Sequence, residues 1–263
     1  MSQKATYLDR ILEHHRALAA NDKRSLGDLV RRCEQMQSAR GFRDRLAMDA
    51  PQAIAVISEI KRKSPSKGLL RADLDPQLLA DAYQAGGASC LSVLTDEDFF
   101  EGSIEDLQIA AAACTLPVLR KDFTVSAHDV CDTRLMGADC VLLIAAALDP
   151  HELKDLHHLA TSLGLDVLVE IHDEAELEVA LSAGALLIGV NQRDLVTFEV
   201  DHQRALRMAG LIPSGVLRVA ESGVRGPADA LALHQAGYHS VLVGESLVTS
   251  EDPAGAVRAL RNL

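Results

Sequence analysis

Ala53-Ile54-Ala55-Val56-Ile57-Ser58-Glu59-Ile60-Lys61-Arg62-Lys63-Ser64-Pro65-Ser66-Lys67-Gly68 opens as an apolar, partly β-branched run and ends in charge without a break. A strand that buries its first half and then presents Glu59 and Lys61 two residues apart puts a carboxylate and an ammonium on one face. The residues that follow supply hydroxyls, exposed amides and a glycine able to take positive φ, which suits a turn closing over an anionic ligand. Taken alone, the same text also reads as a charged strand end spilling into a solvated loop.

Short apolar runs of this kind recur along the chain, each followed by polar residues or glycine and then by helical periodicity. They fall at 54–61, 90–94, 117–121, 140–145, 166–171, 186–191, 217–221 and 240–243. Between them, 76–85, 103–113, 126–135, 150–163, 173–183 and 227–236 read as helices, and a last helix covers 253–260. Most of these end near a glycine, at Gly86-Gly87, Gly137, Gly164, Gly184 and Gly237, which fits helix C-terminal positions. Near-continuous hydrophobic strands alternating with helices predict a parallel sheet with a covered outer face, and eight units close it into a (β/α)8 TIM barrel. A doubly wound open sheet is disfavoured because no Gly-x-Gly-x-x-Gly follows the first strand.

Residues 1–50 do not fit the repeat. Tyr7-Leu8-Asp9-Arg10-Ile11-Leu12 starts an amphipathic helix and Ser25-x-x-Asp28 resembles a capping box opening another. The expected organisation is an N-terminal helical extension over 1–50 on a barrel over 51–263, one domain overall. The extension has two candidate places, plugging the barrel bottom or covering its mouth.

The 263 residues are 48% hydrophobic, enough for a large core, and single α/β barrels run to about 250 residues. A net charge of -12 argues against a nucleic-acid footprint or a polybasic membrane patch, so an anionic ligand must be held locally. No apolar stretch reaches about 18 residues and no signal peptide is legible, which points to a soluble cytoplasmic protein. The cysteines Cys33, Cys90, Cys114, Cys131 and Cys140 form no CxxC pair, so neither a disulfide framework nor structural zinc is suggested. His14, His15, His157 and His158 read as solvent-exposed helix positions, His172 as a satisfied strand-end histidine, and no His/Asp/Glu cluster has metal spacing.

In such a barrel the active site lies at the carboxyl ends of the strands. The first strand delivers Glu59 and Lys61 there, the third Lys121, the fifth Glu170, the sixth Asn191 and Arg193, and the seventh Glu221 and Ser222. Two lysines and three glutamates on one rim are costly to desolvate without mutual pairing, so their convergence favours function. Gly223 after the seventh strand, with Gly244 and Ser246 after the eighth, lets backbone amides approach a phosphate, in agreement with Ser64 across the rim.

At these residues the chain resembles the indole-3-glycerol phosphate synthase family through nearly its whole length. The likeness rests on Glu59–Ser66, on Leu94-Thr95-Asp96 with Phe99-Phe100-Glu101-Gly102-Ser103, on Leu119–Phe123, on Val169-Glu170-Ile171-His172, on Gly189–Leu195 and on Ala220-Glu221-Ser222-Gly223. One departure is Gln192, where the family more often shows a second Asn. The resemblance implies ring closure of 1-(2-carboxyphenylamino)-1-deoxyribulose 5-phosphate to indole-3-glycerol phosphate, with loss of carbon dioxide and water and no cofactor or metal. It implies Lys121 as the general acid at the ketone oxygen, its charge favoured by carboxylates such as Glu59. By the same resemblance Lys61 is expected at the substrate carboxylate, Glu170 as the proton acceptor and Asn191 as the group that orients it. The resemblance further implies that Glu221 and Ser222 hold hydroxyls, with Arg193 also on the substrate. It places Ser64, Gly223, Gly244 and Ser246 at the phosphate, and Phe99 or Phe100 with Phe123 stacking on the anthranilate ring.

The residues alone leave other readings open: a Schiff-base aldolase on Lys121, a sugar-phosphate isomerase, or a non-catalytic phosphate-binding barrel. The expected partner is a small-molecule sugar phosphate, without nucleic acid or membrane, and the expected state a monofunctional monomer or weak homodimer.

Overall fold

A computed structural model describes residues 6–64 and 67–262, so Pro65 and Ser66 of the first loop lie outside the described residues. Eight parallel strands close into a barrel: β1 (Ala55–Ile60), β2 (Cys90–Leu94), β3 (Val118–Lys121), β4 (Cys140–Ile144), β5 (Asp166–Ile171), β6 (Leu187–Asn191), β7 (Leu217–Glu221) and β8 (Ser240–Val243). Each pairs with its neighbours in sequence, and β8 closes on β1 through Ala55 opposite Ser240. Every residue of β1, β2, β4, β6 and β8 is buried, as expected for strands covered on both faces.

The outer helices are α4 (Pro76–Ala85), α5 (Ile104–Ala113), α6 (Ala127–Leu135), α7 (Pro150–Ser162), α8 (Glu174–Ser182), α9 (Arg204–Met208), α10 (Pro227–Gln235) and α11 (Pro253–Arg261). Their starts are written locally. Asp75, Ser103, Ser126, Asp149 and Asp173 each accept a backbone N–H of the first turn, which satisfies donors the helix itself cannot. After α4 the left-handed position is taken by Gly87 at φ 88°, whereas Gly86 is helical and serves another need. A Cβ on Gly86 would lie 2.6 Å from the Ala254 carbonyl oxygen, so this glycine lets α4 and α11 approach.

Both expected places for the N-terminal extension are occupied, by different helices. α1 (Tyr7–Asn21) lies over the carboxyl ends of the strands, where Tyr7 packs edge-on against Phe99 and Phe198 and Arg16 pairs with Glu152 at 2.8 Å. α2 (Leu26–Glu34) runs down the outside against α6, tied by Arg24 to Asp132 at 2.7 Å. Ser25 accepts the Asp28 N–H but the reciprocal half of the expected capping box is missing, because the Asp28 carboxylate pairs with Arg31 instead. α3 (Phe42–Asp49) plugs the opposite end. Its Phe42 and Leu46 are fully buried, the Arg43 N–H donates to Asp166 at the start of β5, and Asp49 accepts from Ser89 just before β2. The five cysteines are unpaired thiols, four of them buried.

Candidate active site

The carboxyl ends of the strands open into a cavity of about 680 Å³, within the range of small-molecule sites. Glu59, Lys61, Lys121, Glu170, Asn191 and Glu221 all line it, together with Ser64, Phe100, Phe123, Arg193, Ser222, Gly223, Gly244 and Ser246. Residues spread over most of the chain thus meet at one mouth, because barrel register sets Asn191 opposite Glu221 and Glu170 opposite Gly189.

Two ion pairs organise the floor. Lys121 Nζ donates to Glu170 Oε2 at 2.9 Å and lies 3.8 Å from Glu221 Oε2. Lys61 Nζ donates to Glu59 Oε1 at 2.5 Å, and Glu59 Oε2 also accepts from Ser92. The carboxylate bonded to Lys121 is therefore Glu170, while Glu59 serves chiefly Lys61. Burial opposes the Lys121 charge, but Glu170, Glu221 and Glu59 outweigh it and raise its pKa. Glu170 is driven below the ordinary carboxylate range: burial works against this, yet Lys121, His172 and the Asn191 amide, which donates to Oε1 at 2.9 Å, prevail. Glu221 goes the other way, pushed up to about 8 by burial and then by the neighbouring Glu170 charge. Its Oε1 is buried without a hydrogen-bond partner among the described residues.

That oxygen rests against Gly189, where a Cβ would lie 1.9 Å from it. Gly244 makes similar room, since a Cβ there would lie 2.5 Å from Glu59 Oε1 and 2.9 Å from Lys61 Nζ. Glycines read for phosphate contact or strand text thus also shape the charged floor.

On the mouth's other side, the β1 loop folds back as a short hairpin of Lys63–Ser64 against Gly68–Leu69, with Gly68 at φ 72° as its residue type allows. Ser64 is buried and its Oγ accepts the Lys67 N–H, and Lys67, which sequence reasoning passed over, faces the cavity as well. Gly244 opens a short helix, Glu245–Val248, while Ser246 Oγ donates to the Val224 carbonyl. Ser222 sits at φ 64°, held there by Gln192 Nε2, which donates to the Ser222 carbonyl at 2.7 Å. Arg193 donates to the Phe198 carbonyl and through its backbone to Asn191 Oδ1.

Several readings need correction. Phe100 and Phe123 line the cavity with ring centroids 6.3 Å apart, but Phe99 packs against Tyr7 and His14 of α1. His15 is not a solvent-exposed helix position: its Nε2 bonds Asp96 at 2.9 Å and its ring stacks near Phe123. Burial disfavours its charge, yet Asp96 and Asp122 together raise its pKa. His15, Asp96 and Asp122 also bring ligand-type atoms within 4.8 Å of one another, an arrangement invisible to sequence spacing. Asp122 is already bound by Arg120 and Thr95, which explains the cluster as a charge network. His172 is only half satisfied: Nδ1 meets Glu176, but its buried Nε2 reaches no hydrogen-bond partner among the described residues.

A family model described as indole-3-glycerol phosphate synthase matches residues 8–260. The chain belongs to the indole-3-glycerol phosphate synthase family. Indole-3-glycerol phosphate synthases of Polaromonas sp. strain JS666 and Polaromonas naphthalenivorans strain CJ2 are each 52% identical to it, over 209 and 206 residues. The first match covers 80% of this chain and 79% of the relative, the second 78% of each. Among solved structures, the thiamine phosphate pyrophosphorylase of Pyrococcus furiosus (TM-score 0.59, 14% identity, 80% of this chain and 94% of that one) shares the fold. So does the N-acetylmannosamine-6-phosphate 2-epimerase of Clostridium perfringens (TM-score 0.59, 14% identity, 76% and 90%). At such low identity these two speak for the barrel alone. In this indole-3-glycerol phosphate synthase family member the Gln192 amide reaches the turn after β7 and pins Ser222.

Proposed function

We propose that the floor pairs divide the family's chemistry between them. The enzyme is a carboxy-lyase that forms indole-3-glycerol phosphate from 1-(2-carboxyphenylamino)-1-deoxyribulose 5-phosphate, a small-molecule sugar phosphate. Ring closure needs a proton at the ketone oxygen as the ring carbon attacks, and the Lys121 ammonium gives it. The carboxylate then leaves as carbon dioxide, its electron pair restoring the aromatic ring, with Lys61 holding it until departure. In dehydration the new hydroxyl leaves as water on a proton from Lys61, while Glu170 takes the adjacent C–H proton. Glu170 returns that proton to the now neutral Lys121 beside it, at 2.9 Å in the resting pair. The net uptake is one proton per turnover, which replaces the one Lys61 gave. Its side chain is 19% exposed, so water at the mouth can reload it.

Glu221 and Ser222 hold substrate hydroxyls, Arg193 supports the chain, and Phe100 and Phe123 give the apolar wall on which the anthranilate ring stacks. Ser64, Gly223, Gly244 and Ser246 cradle the phosphate with backbone amides. The single observation carrying this reading is Lys121 placed between Glu170 and Glu221 at the cavity floor. We place the enzyme in the cytoplasm as a monomer or weak homodimer; no helix among the described residues is long and apolar enough to cross a membrane.

The test is a fluorescence assay for the indole product, run with chelator and no added cofactor, on wild type and Lys121→Ala. Loss of a general acid lowers turnover about 10²- to 10⁴-fold. Near-normal turnover in Lys121→Ala refutes the assignment, as does a borohydride-trapped adduct on Lys121, which would favour an aldolase.

A further inference from the structure

Glu170 has a difficulty built into the proposed sequence of steps. In the resting site its ionised form is held chiefly by the Lys121 ammonium. By the time Glu170 must accept a proton, Lys121 has already given one away and carries no charge. A fully buried carboxylate deprived of its cation would take up a proton and cease to be a base. A second cation is needed, and the other one acting on Glu170 is His172.

His172 sits two residues beyond Glu170, just past the end of β5, and is held from outside the cavity. One carboxylate oxygen of Glu176, in the first turn of α8, accepts both the His172 backbone N–H at 2.7 Å and Nδ1 at 3.0 Å. This double grip fixes the ring and leaves Nε2 3.8 Å from Glu170 Oε1. Nε2 is sealed from solvent and has no hydrogen-bond partner among the described residues. A buried donor left unpaired costs about 1–3 kcal/mol, so its place beside a catalytic carboxylate calls for a reason. The ring stands between two spaces: Glu170 lines the main cavity, whereas His172 lines a second cleft with Asp173, Glu174, Arg204 and Arg207.

We propose that His172, held by Glu176, is a positioning residue that keeps the Glu170 carboxylate ionised while Lys121 is neutral. This rests on the assignment of Glu170 as the proton acceptor. Burial and the Arg204 charge disfavour the imidazolium, but Glu176 and Glu170 outweigh them and hold the His172 pKa above the ordinary imidazole value. As an imidazolium, His172 keeps its proton on Nδ1 toward Glu176 and directs its Nε2 proton toward Glu170. No proton is transferred from it; its charge and dipole do the holding.

The pH dependence of kcat separates this from simple packing, because kcat reports groups in the substrate complex. In His172→Gln the cation is gone and Glu170 is protonated at a higher pH, so the acid limb moves up by about one pH unit or more. Below the limb that is a tenfold loss, and above it turnover is unchanged. Glu176→Gln, on a more exposed side chain, moves the limb in the same direction, and His172→Lys moves it back toward wild type. A drop of equal size at every pH in His172→Gln and Glu176→Gln, or no change in either, overturns the proposal. If wild type itself yields no indole product, it is the assignment of activity that fails; if wild type is active and the variant profiles run parallel to it, only the role of His172 fails.

Discussion

Gly189→Ala puts the geometry of the floor to a sharp test, because secondary-structure propensity and the site predict opposite signs. Glycine inside a strand is unfavourable relative to alanine by about 0.5–1 kcal/mol, so a propensity argument expects stabilisation. In this barrel the new methyl carbon would lie 1.9 Å from Glu221 Oε1, 3.0 Å from its Cδ and 3.3 Å from Leu168 Cδ1. The carboxylate has to move by at least about 1 Å, and Leu168 blocks one way out. Overpacking of this kind costs about 1–3 kcal/mol, which outweighs the propensity gain. A 1 Å misplacement in a catalytic array can cost about 10²-fold in rate. Urea unfolding of Gly189→Ala should therefore show a lower midpoint, and the product assay a kcat/KM lower by about two orders of magnitude. Glu221→Ala provides the second arm, since the carboxylate is then gone and Gly189→Ala added to it should cost little further stability. A Gly189→Ala protein with a raised midpoint and wild-type kcat/KM, or an equal penalty in both backgrounds, refutes the reasoning.

The His15 clasp gives a pH effect of defined sign. Its native pKa is raised, so its contribution is fully present below the ordinary value of about 6.5 and is lost as pH rises through the higher native value. Hydrogen exchange should show α1 losing protection over that rise, with His15→Ala unprotected and flat across the range. The carboxylate pair offers a second contrast: Glu170→Gln removes the proposed proton acceptor and should lower turnover about 10²- to 10⁴-fold. Glu221→Gln keeps a neutral donor of the same shape and stays within about tenfold, one hydrogen bond's worth. Equal losses in the two variants would contradict the split between them.

The strands were legible to within a residue at either end, and for a physical reason. Parallel strands buried on both faces must be written as apolar runs, and helix starts carry Asp or Ser at the cap. The short pieces were not legible. The two-residue strands Lys63–Ser64 and Gly68–Leu69 and the helices Glu97–Phe100, Arg204–Met208 and Glu245–Val248 are too brief to show periodicity. Phe99 and Phe100 show the limit most clearly, since successive residues on a helix point about 100° apart. One ring therefore meets α1 and the other the cavity, a choice that no property of Phe-Phe encodes. His15 and Glu170's second cation are long-range or second-neighbour effects that need coordinates. The strand-end charges, by contrast, were readable together because the barrel topology alone sends them to one rim.

The opposed behaviour of Glu170 and Glu221 explains how so much charge survives in a buried floor. Three carboxylates and two ammonium groups, all ionised, would leave one negative charge unpaired in a poorly solvated space. Lys121 cannot fully serve two anions: it bonds Glu170 at 2.9 Å and stands off Glu221 at 3.8 Å. Asn191 and His172 both favour Glu170, whereas Glu221 Oε1 rests against Gly189 and has no hydrogen-bond partner among the described residues. A proton on this pair is therefore better held by Glu221, whose pKa is raised, than by Glu170, whose pKa is lowered. The proposed roles follow this order, with protonated Glu221 donating to a substrate hydroxyl and ionised Glu170 serving as the base. Two identical side chains, Glu170 and Glu221, are thus set apart by their neighbours, which come from β3, β6 and the turn after β5.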